Sequence, residues 1–310
     1  MSIIKLTNIL ENDEFEKIIN SIKKINRISE LSLNHNQLSL IPTEIGCLNK
    51  LRKIDFQFNN FLFLPSEIGQ LDKLTSLFIN NNSLIKIPQE IGMLKRLEHL
   101  HLQINQLKIL PSELGELVNL KELNLNNNEL IAIPTELGNC TKLEKLYFDN
   151  NQLSAIPSEF GNLKNLKILS LSNNQINNIP SEFGELDNLE ELNINNNLME
   201  HIPSELGQLK NIKMLNIENN RLLDLPSELG QLENLKFLYL AYNNLNTIPY
   251  DLKNAINLEE LDIQKNDLLI LNNESLIRMT NLKKLKISAD DFISIRDDLE
   301  NIPFSILEII

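Results

Sequence analysis

Residues Leu120–Lys142, LKELNLNNNELIAIPTELGNCTK, are one copy of a segment that recurs along most of the chain with a period of 23 residues. All nine glycines stand 23 residues apart, from Gly46 to Gly230, and ten of the eleven prolines do the same, from Pro42 to Pro249. A fixed period of this length is typical of a protein built by stacking one structural repeat. The period therefore decides the architecture before any local pattern is considered.

Each repeat predicts a short strand followed by an inward turn. Leu123 and Leu125 alternate with polar residues, which is typical of a half-buried strand. Asn128 follows and recurs in ten other repeats. Its amide can satisfy a backbone donor and a backbone acceptor where the chain leaves the strand. Stacked asparagines should therefore form a ladder at the edge of the core.

The second half of the repeat is predicted to form a short helical turn, through which the chain returns to the next strand. Pro134 and Gly138 are four residues apart, which leaves room for a 3₁₀ turn or a single helical turn. Proline at the first position of such a turn loses no hydrogen bond, and glycine just past its end allows a positive φ. Glu136 stands in the first turn, where a carboxylate meets the positive end of the helix dipole. One repeat cannot bury its own leucines, whereas stacked copies share a continuous core.

The pattern L-x-x-L-x-L-x-x-N-x-L-x-x-I-P-x-E-L-G-x-L-x-x resembles the leucine-rich repeat and covers residues 28 to about 295. Its proline and glycine placement is similar to the 23-residue subclass of intracellular Ras-group proteins and of many bacterial repeat proteins. The resemblance implies an α/β solenoid, a curved horseshoe. Its parallel β-sheet would line the concave face, and its short 3₁₀ or helical turns would line the convex face.

Three segments are predicted along the chain. Residues 1–27 lack the repeat and carry apolar residues at helical spacing, so residues 13–24 predict an amphipathic helix that caps the first repeat. A membrane-surface or partner-binding helix is the alternative. Twelve repeats fill residues 28–295 as a single solenoid domain. They begin at Ile28, Leu51, Leu74, Leu97, Leu120, Leu143, Leu166, Leu189, Ile212, Leu235, Leu258 and Leu282.

The pattern weakens towards the C-terminus. Asn272 replaces the proline of the eleventh repeat, and in the twelfth Asp290 and Arg296 stand at the asparagine and proline positions. Within residues 296–310, Ile306 and Ile309 match the first two leucine positions of a thirteenth repeat. This segment is predicted to be a C-terminal cap, an edge that pairs with another chain, or a truncated repeat.

Charge and cysteine content favour some partners and locations over others. The net charge is −13, and no basic stripe exists that could neutralise phosphates, so a nucleic-acid partner is disfavoured. Cys47 and Cys140 lie four repeats apart, roughly 20 Å at sheet spacing, too far for a disulfide. Secreted eukaryotic proteins resembling this family usually carry disulfide-rich caps. We therefore predict a reducing, cytoplasmic location, with neither a secretory signal nor a membrane span.

The sequence lacks the usual signatures of catalysis. Every glycine belongs to the repeat, so no glycine-rich phosphate loop exists, and neither a nucleophile elbow nor a cysteine pair of metal spacing appears. We predict a protein that is not an enzyme and needs no cofactor. An enzyme subunit or metal-dependent hydrolase is the disfavoured alternative.

Two groups of residues are predicted to project from the sheet. Positions three, five, seven and eight of each repeat should face away from the core, since alternate side chains of a strand point to opposite faces. The first group comprises Phe58, Phe78, His99, His101, Ile104 and Tyr147, and the second comprises Met214, Phe237, Tyr239 and Tyr242. Outward aromatic and methionine side chains are typical of interface hot spots, although cross-strand pairing that only stabilises the sheet is the alternative. We predict that both groups bind a partner.

His99 and His101 also raise the question of a metal. They point the same way two residues apart, with Glu122 on the next strand. This set is incomplete for zinc, so two exposed imidazoles without a metal are predicted.

These patterns favour a non-enzymatic protein–protein interaction module that binds a protein partner on its concave face, as a scaffold or signalling regulator. The resemblance to Ras-group proteins implies a small GTPase or a phosphatase as partner by analogy. The alternative is a bacterial effector delivered into the cytoplasm of a host cell to modulate host signalling. The abundance of Asn, Ile and Lys fits an AT-rich genome, as in several intracellular bacteria, protists and large viruses.

Overall fold

The computed structural model describes residues 2–7, 12–25, 27–268, 273–295, 299 and 303–310 of the 310-residue chain. Its contacts divide the chain into two compact units, Met1–Leu153 and Ser154–Ile310. We call them the N-terminal unit and the C-terminal unit. Both are built from parallel strands that alternate with 3₁₀ turns, as the sequence predicted.

The described part of the N-terminal unit holds seven strands, one helix and five 3₁₀ turns. The strands are β1 (Ser2–Lys5), β2 (Ile28–Ser32), β3 (Lys53–Asp55), β4 (Ser76–Phe78), β5 (His99–His101), β6 (Glu122–Asn124) and β7 (Lys145–Tyr147); the helix is α1 (Asn12–Ile25). The turns are Thr43–Cys47, Ser66–Gln70, Gln89–Met93, Ser112–Glu116 and Thr135–Asn139. Each strand pairs in parallel with the next, and from β2 onward residues at the same repeat position lie side by side.

The segment before the first repeat contains a strand that the sequence did not predict. Strand β1 pairs with β2, with Ile4 beside Leu31. Helix α1 begins one residue before and ends one residue after the predicted range. Its Phe15 is fully buried, with its ring centroid 5.9 Å from that of Phe56. The division of the chain into an N-terminal cap, twelve repeats and a C-terminal cap stays a prediction.

The described part of the C-terminal unit also holds seven strands. They are β8 (Ile168–Ser170), β9 (Glu191–Asn193), β10 (Met214–Asn216), β11 (Phe237–Tyr239), β12 (Glu260–Asp262), β13 (Lys284–Ile287) and β14 (Leu307–Ile309), with helices α2 (Asn273–Arg278) and α3 (Ala289–Ile295). The 3₁₀ turns are Ser158–Asn162, Ser181–Glu185, Ser204–Gln208, Ser227–Gln231, Tyr250–Asn254 and Phe304–Ile306. Consecutive strands again pair in parallel.

The last strand is shifted by two residues from its predicted register. Leu307 lies beside Leu285, the place predicted for Ile309, because Ile306 belongs to a 3₁₀ turn instead of opening the repeat. Side chains alternate with a period of two, so both registers put Leu307 and Ile309 on the same face of the strand and the sequence pattern cannot separate them.

The asparagine ladder is confirmed. The Asn128 amide nitrogen donates to the carbonyl oxygens of Leu125 at 3.0 Å and of Leu102, one repeat earlier, at 3.1 Å. Its side-chain oxygen accepts the backbone N–H of Leu107 at 3.1 Å. Because Asn128 is buried, these bonds replace the water that the backbone groups lose.

Asp291, not the predicted Asp290, takes the acceptor role of the asparagine in the twelfth repeat. Asp291 is buried, and its carboxylate accepts the backbone N–H groups of Asn266 and Leu268, both at 3.4 Å. Asp290 is exposed in helix α3. Helix α3 starts where the other repeats continue into their turn, which moves the carboxylate one residue along the chain. The predicted replacements Asn272 and Arg296 lie outside the described residues.

The proline and glycine of each repeat act differently from the prediction. The turn after Pro134 is 3₁₀, as predicted, but Pro134 precedes it in an extended conformation instead of occupying its first position. Gly92 lies inside its turn, and none of the glycines has a positive φ. A Cβ on Gly92 would lie 2.6 Å from the backbone oxygen of Glu113 in the next turn. Close approach of neighbouring turns therefore requires glycine here.

The cysteines do not form a disulfide. Cys47 is exposed, whereas Cys140 is buried in a leucine position and its thiol contacts the carbonyl oxygen of Leu114 at 3.3 Å. Burial raises the pKa of the Cys140 thiol to about 11, so this group is an inert part of the core at neutral pH.

Candidate functional site

Position eight of the repeat has an unusual backbone. In the first eleven repeats its φ lies between 50° and 57°, in the left-handed region. The residues are His35, Phe58, Asn81, Ile104, Asn127, Asn150, Asn173, Asn196, Asn219, Tyr242 and Lys265. Six of the eleven are asparagine, which tolerates this conformation far better than most residues. The geometry therefore explains why asparagine is common at this position.

Phe58, Ile104 and Tyr242 depart from that preference, and they are the apolar side chains predicted to project from the sheet. They are 43%, 47% and 58% exposed, so the prediction that they reach solvent is confirmed. A left-handed backbone costs an ordinary L-residue about 1–2 kcal/mol, and a β-branched residue such as Ile104 is among the least suited. Side chains so exposed recover little of this cost by burial. Folding alone does not account for these three residues.

Replacing Ile104 by asparagine is expected to raise the free energy of unfolding by about 1 kcal/mol, because it relieves the left-handed strain. The backbone N–H of residue 104 would keep its 2.9 Å bond to the Asn126 carbonyl oxygen. Urea denaturation followed by circular dichroism measures the change. Asn127→Ile, at the same position of the next repeat, should lower the free energy by a similar amount. A loss of stability in Ile104→Asn would contradict this account of position eight.

The N-terminal cluster comprises Phe58, Phe78, His99, His101, Ile104 and Tyr147. Strand pairing puts Phe78 beside His101, and their ring centroids are 4.8 Å apart. The ammonium group of Lys53 lies 5.2 Å from the Phe78 ring centroid. Tyr147 is further along the same row, with Asn124 between it and His101. Phe78, His101 and Tyr147 are all half-buried, so each still presents part of its ring to solvent.

His35 joins this cluster and was not predicted to. Its ring stacks on Phe58 with centroids 4.2 Å apart and planes 9° from parallel. His35 and Phe58 occupy position eight of adjacent repeats, where the left-handed backbone aligns their rings. Comparison of the same repeat position in neighbouring repeats could have identified this pair from the sequence.

His99 and His101 share the carboxylate of Glu122. Nδ1 of His99 lies 3.4 Å from one Glu122 oxygen and Nε2 of His101 lies 3.3 Å from the other, although that buried Nε2 makes no hydrogen bond. Burial lowers the pKa of His101, and the Glu122 carboxylate opposes that shift. Both imidazoles are half-buried, not exposed as predicted, since Phe78 packs against His101. Within the described ranges no group of three or more His, Cys, Asp or Glu residues is arranged to hold a metal ion.

The C-terminal cluster comprises Met214, Phe237, Tyr239 and Tyr242. Met214 lies beside Phe237 on the neighbouring strand. The rings of Phe237 and Tyr239 are within 12° of parallel, with centroids 6.4 Å apart. Met214, Phe237 and Tyr239 are half-buried, while Tyr242 is exposed. Met214, Phe237 and Tyr239 are therefore neighbours in the structure.

Charged residues that the sequence pattern did not predict border the C-terminal cluster. The Lys286 ammonium lies 2.8 Å from Glu260, 3.2 Å from Asp262 and 5.7 Å from the Tyr239 ring centroid. Hydrogen bonds to the two carboxylates raise the pKa of Lys286. Burial, with repulsion from Asp262, raises the pKa of the nearby Glu218 carboxyl. The C-terminal cluster is therefore an aromatic patch bordered by acidic residues.

Most residues at positions five and seven are half-buried on the open face. The exceptions are buried: Ser32, Ser170 and Asp262 at position five, and Asn80, Ser172, Ala241 and Ser288 at position seven.

No helix in the described part of the chain is long and apolar enough to cross a bilayer.

Parallel strands, 3₁₀ turns and an asparagine ladder at a 23-residue period define a solenoid repeat protein. The chain belongs to the leucine-rich repeat family. The family described as "Leucine-rich repeat region" matches residues 3–130, and "Leucine rich repeat" matches overlapping segments from 118 to 268. A comparison with curated proteins gives no match. Leucine-rich repeat folds generally mediate protein–protein interaction.

Solved structures show the same fold. A leucine-rich repeat protein of Leptospira interrogans is 30% identical, with 94% of this chain and 92% of that chain covered and a TM-score of 0.57. The Arabidopsis receptor kinase HAESA, in complex with the peptide hormone IDA and the co-receptor SERK1, is 28% identical with a TM-score of 0.69; 86% of this chain and 51% of that chain are covered. The protein thus spans about half the length of the HAESA chain in that structure. An internalin of Listeria monocytogenes, 22% identical with a TM-score of 0.67 over 90% of this chain and 88% of that one, shares the fold.

Proposed function

We propose that this protein is a non-enzymatic interaction module that binds a protein partner through the open face of its sheet. The observation that supports this most is the placement of Phe58, Ile104 and Tyr242, exposed apolar residues in a backbone conformation that suits asparagine. Strained residues that the surrounding structure holds in place are concentrated at functional sites. A binding role would explain why these three apolar residues occupy position eight, where six other repeats have asparagine.

The two clusters have the composition of interface anchors. Aromatic side chains with an apolar body and a polar tip dominate hot spots, and half-burial by neighbours holds their rings in place before binding. Phe78 and His101 support one another in the N-terminal cluster, as Phe237 and Tyr239 do in the C-terminal cluster. Two similar plant receptors have been solved with ligands: HAESA with the peptide hormone IDA, and the peptide hormone receptor RGFR1 with RGF2. A peptide or an extended protein segment is therefore the ligand that we propose.

We further propose a role as a scaffold or signalling regulator in the cytoplasm, in keeping with two cysteines that form no disulfide. A small GTPase or a phosphatase is the first partner class to test, by analogy with Ras-group repeat proteins. The alternative, a bacterial effector, uses the same surface, and similarity to the Leptospira protein supports a bacterial relative. Fractionation of infected host cells separates the two, since an effector is found in host cytosol.

Substitution of the cluster residues should abolish capture of the partner. The full chain is immobilised and incubated with lysate of the producing cell. Bound proteins are then quantified for wild type and for the variants Phe78→Ala/Tyr147→Ala and Phe237→Ala/Tyr239→Ala. At least one protein should fall tenfold or more with either variant, because truncated hot spots each cost about 2 kcal/mol or more. Ile104→Asn should also lower capture while raising stability, which separates binding from folding.

The matched control is Asn193→Ala, at position five in the C-terminal unit. It should leave capture unchanged. If every captured protein is retained equally by wild type and the cluster variants, with thermal melts showing that all are folded, the open face is not the binding surface.

A further inference from the structure

A second apolar surface lies outside the strands, at positions twelve and thirteen of the first five repeats. Leu40, Leu62, Phe63, Ile85, Ile109 and Ile131 are all between 43% and 65% exposed there. We call these six residues the flank stripe. None of them belongs to a strand or a 3₁₀ turn.

The core does not need these side chains. Positions eleven and fourteen, on either side, supply the buried residues; in the second repeat these are Phe61 and Leu64, at 0% and 5% exposure. The backbone holds neighbouring repeats together along the stripe. Phe63 and Lys86 form a parallel bridge, and the N–H of Ile85 donates to the Leu62 carbonyl oxygen at 3.2 Å. The exposed side chains are thus lined up on a fixed backbone.

In the C-terminal unit the same positions are mostly polar from repeat six to repeat ten, although repeat eleven carries Leu269 and Ile270 there, outside the described residues. The fold therefore does not dictate the stripe. Asn177, Asn178, Glu200 and His201 occupy these positions, and His201 forms an ion pair with Asp224 at 3.1 Å. Leu223 is the one large apolar residue exposed at these positions within the described part of that unit. Repeats therefore stack with either polar or apolar side chains at positions twelve and thirteen. The apolar set in the N-terminal unit calls for a reason other than folding.

The stripe is large enough to form the apolar centre of an interface. Six half-exposed Leu, Ile and Phe side chains present apolar area on the order of 500 Å², the size of the largest patch on an ordinary monomer, which is often functional. With a polar rim, this approaches the roughly 800 Å² per partner of a standard interface.

The charges along the stripe indicate what covers it. Lys86 and Lys108 lie in the same two positions, and no carboxylate does. The Lys86 ammonium is 5.7 Å from the Phe63 ring centroid, and the largely exposed Lys108 lies 3.6 Å from Glu129. Apolar side chains interleaved with lysines complement a segment that carries large apolar side chains and carboxylates.

Two other occupants fit less well. In a symmetric dimer the stripe would face the same stripe of a second copy, which offers two more lysines, while the adjacent Glu129 carboxylate already pairs with Lys108 of its own chain. Stable attachment to anionic lipid uses clusters of four to eight basic residues, and the stripe holds two.

We propose that the flank stripe is a second docking surface, which binds an acidic, apolar segment of another protein independently of the sheet face. This proposal is tested by selecting a random peptide library, displayed on phage, for binding to the full chain. Enriched peptides, measured by fluorescence anisotropy, should combine large apolar residues with Asp or Glu. Their affinity should fall at least tenfold for Phe63→Ser/Ile109→Ser and for Lys86→Glu/Lys108→Glu.

The controls separate this surface from the rest of the molecule. Leu223→Ser makes the same chemical change at position twelve of the C-terminal unit, and Phe78→Ala alters the sheet face; both should leave the affinity unchanged. Failure to enrich peptides that depend on Phe63 and Ile109 would overturn the proposal. So would a dimer in sedimentation that these substitutions dissociate, or binding to phosphatidylcholine–phosphatidylserine vesicles that they abolish.

Discussion

Replacing Gly92 by alanine is expected to lower the free energy of unfolding by about 3 kcal/mol, because the added methyl group would overpack a backbone contact. The Cβ would lie 2.6 Å from the carbonyl oxygen of Glu113 and 2.9 Å from its Cβ. Both atoms belong to the next 3₁₀ turn, which is held by the turn beyond it and cannot move aside like the end of a flexible side chain. The φ of Gly92 is negative, so alanine suffers no backbone strain there and the whole loss comes from contact.

Chemical denaturation of Gly92→Ala and Met93→Ala measures this effect. Met93 is the next residue of the same turn and is 56% exposed, so its truncation should change stability by less than about 0.5 kcal/mol. If Gly92→Ala unfolds at the same denaturant concentration as wild type, neighbouring turns are not held at the separation seen here. The glycine row would then need another explanation.

The glycine row shows how a correct prediction can carry the wrong reason. A fixed spacing of 23 residues indicated that each glycine is required. The sequence could not distinguish a positive φ from a close approach, since both demand the absence of a side chain. Only the position of Glu113 relative to Gly92 decides between them. The left-handed backbone lies instead at position eight, which strand alternation predicts only to face away from the core.

The predicted strands and 3₁₀ turns were correct for the regular repeats, where one pattern occurs many times. Predictions were incomplete or wrong at the two ends of the chain, where the pattern diverges. Strands, 3₁₀ turns and the role of Asn128 follow from a pattern seen about ten times. Strand β1 has four residues and becomes recognisable only by its pairing with β2. Asp291, not Asp290, takes the role of the asparagine because helix α3 begins at Ala289. The sequence of one divergent repeat does not reveal such a local change in structure.

The candidate site was predicted in part for the same reason. Strand alternation placed Phe78 and Tyr239 on the open face, since a period of two is read directly from the residues. The stacking of His35 on Phe58 and the ion pairs of Lys286 depend on distances between repeats, which alternation does not give. The flank stripe lies in a connecting segment, where neither a strand nor a helix period applies.

Replacing Asn128 by alanine is expected to lower the free energy of unfolding by about 3 kcal/mol, since a buried donor or acceptor left unpaired costs about 1–3 kcal/mol. The backbone N–H of Leu107 would lose its acceptor at 3.1 Å. The carbonyl oxygens of Leu102 and Leu125 would each keep one partner, because Asn105 and Asn151 also donate to them. Asn119→Ala is the control: this half-buried amide donates to the Lys95 carbonyl oxygen at 2.7 Å and accepts from the Lys142 ammonium at 2.6 Å. Water can reach both partners, so the substitution should cost under about 1 kcal/mol.

Sharing of carbonyl oxygens along the ladder makes neighbouring asparagines interdependent. In Asn128→Ala/Asn151→Ala the Leu125 oxygen loses both amide donors, at 3.0 and 3.1 Å, so the double variant should lose about 1 kcal/mol more than the sum of the single variants. Asn59 and Asn128 share no acceptor, and that pair should be additive. Additive loss in the adjacent pair would show that each asparagine satisfies only its own repeat. Excess loss confined to the adjacent pair would show that the ladder couples each repeat to the next, which is how a sheet made of three-residue strands can hold its open face in a fixed geometry.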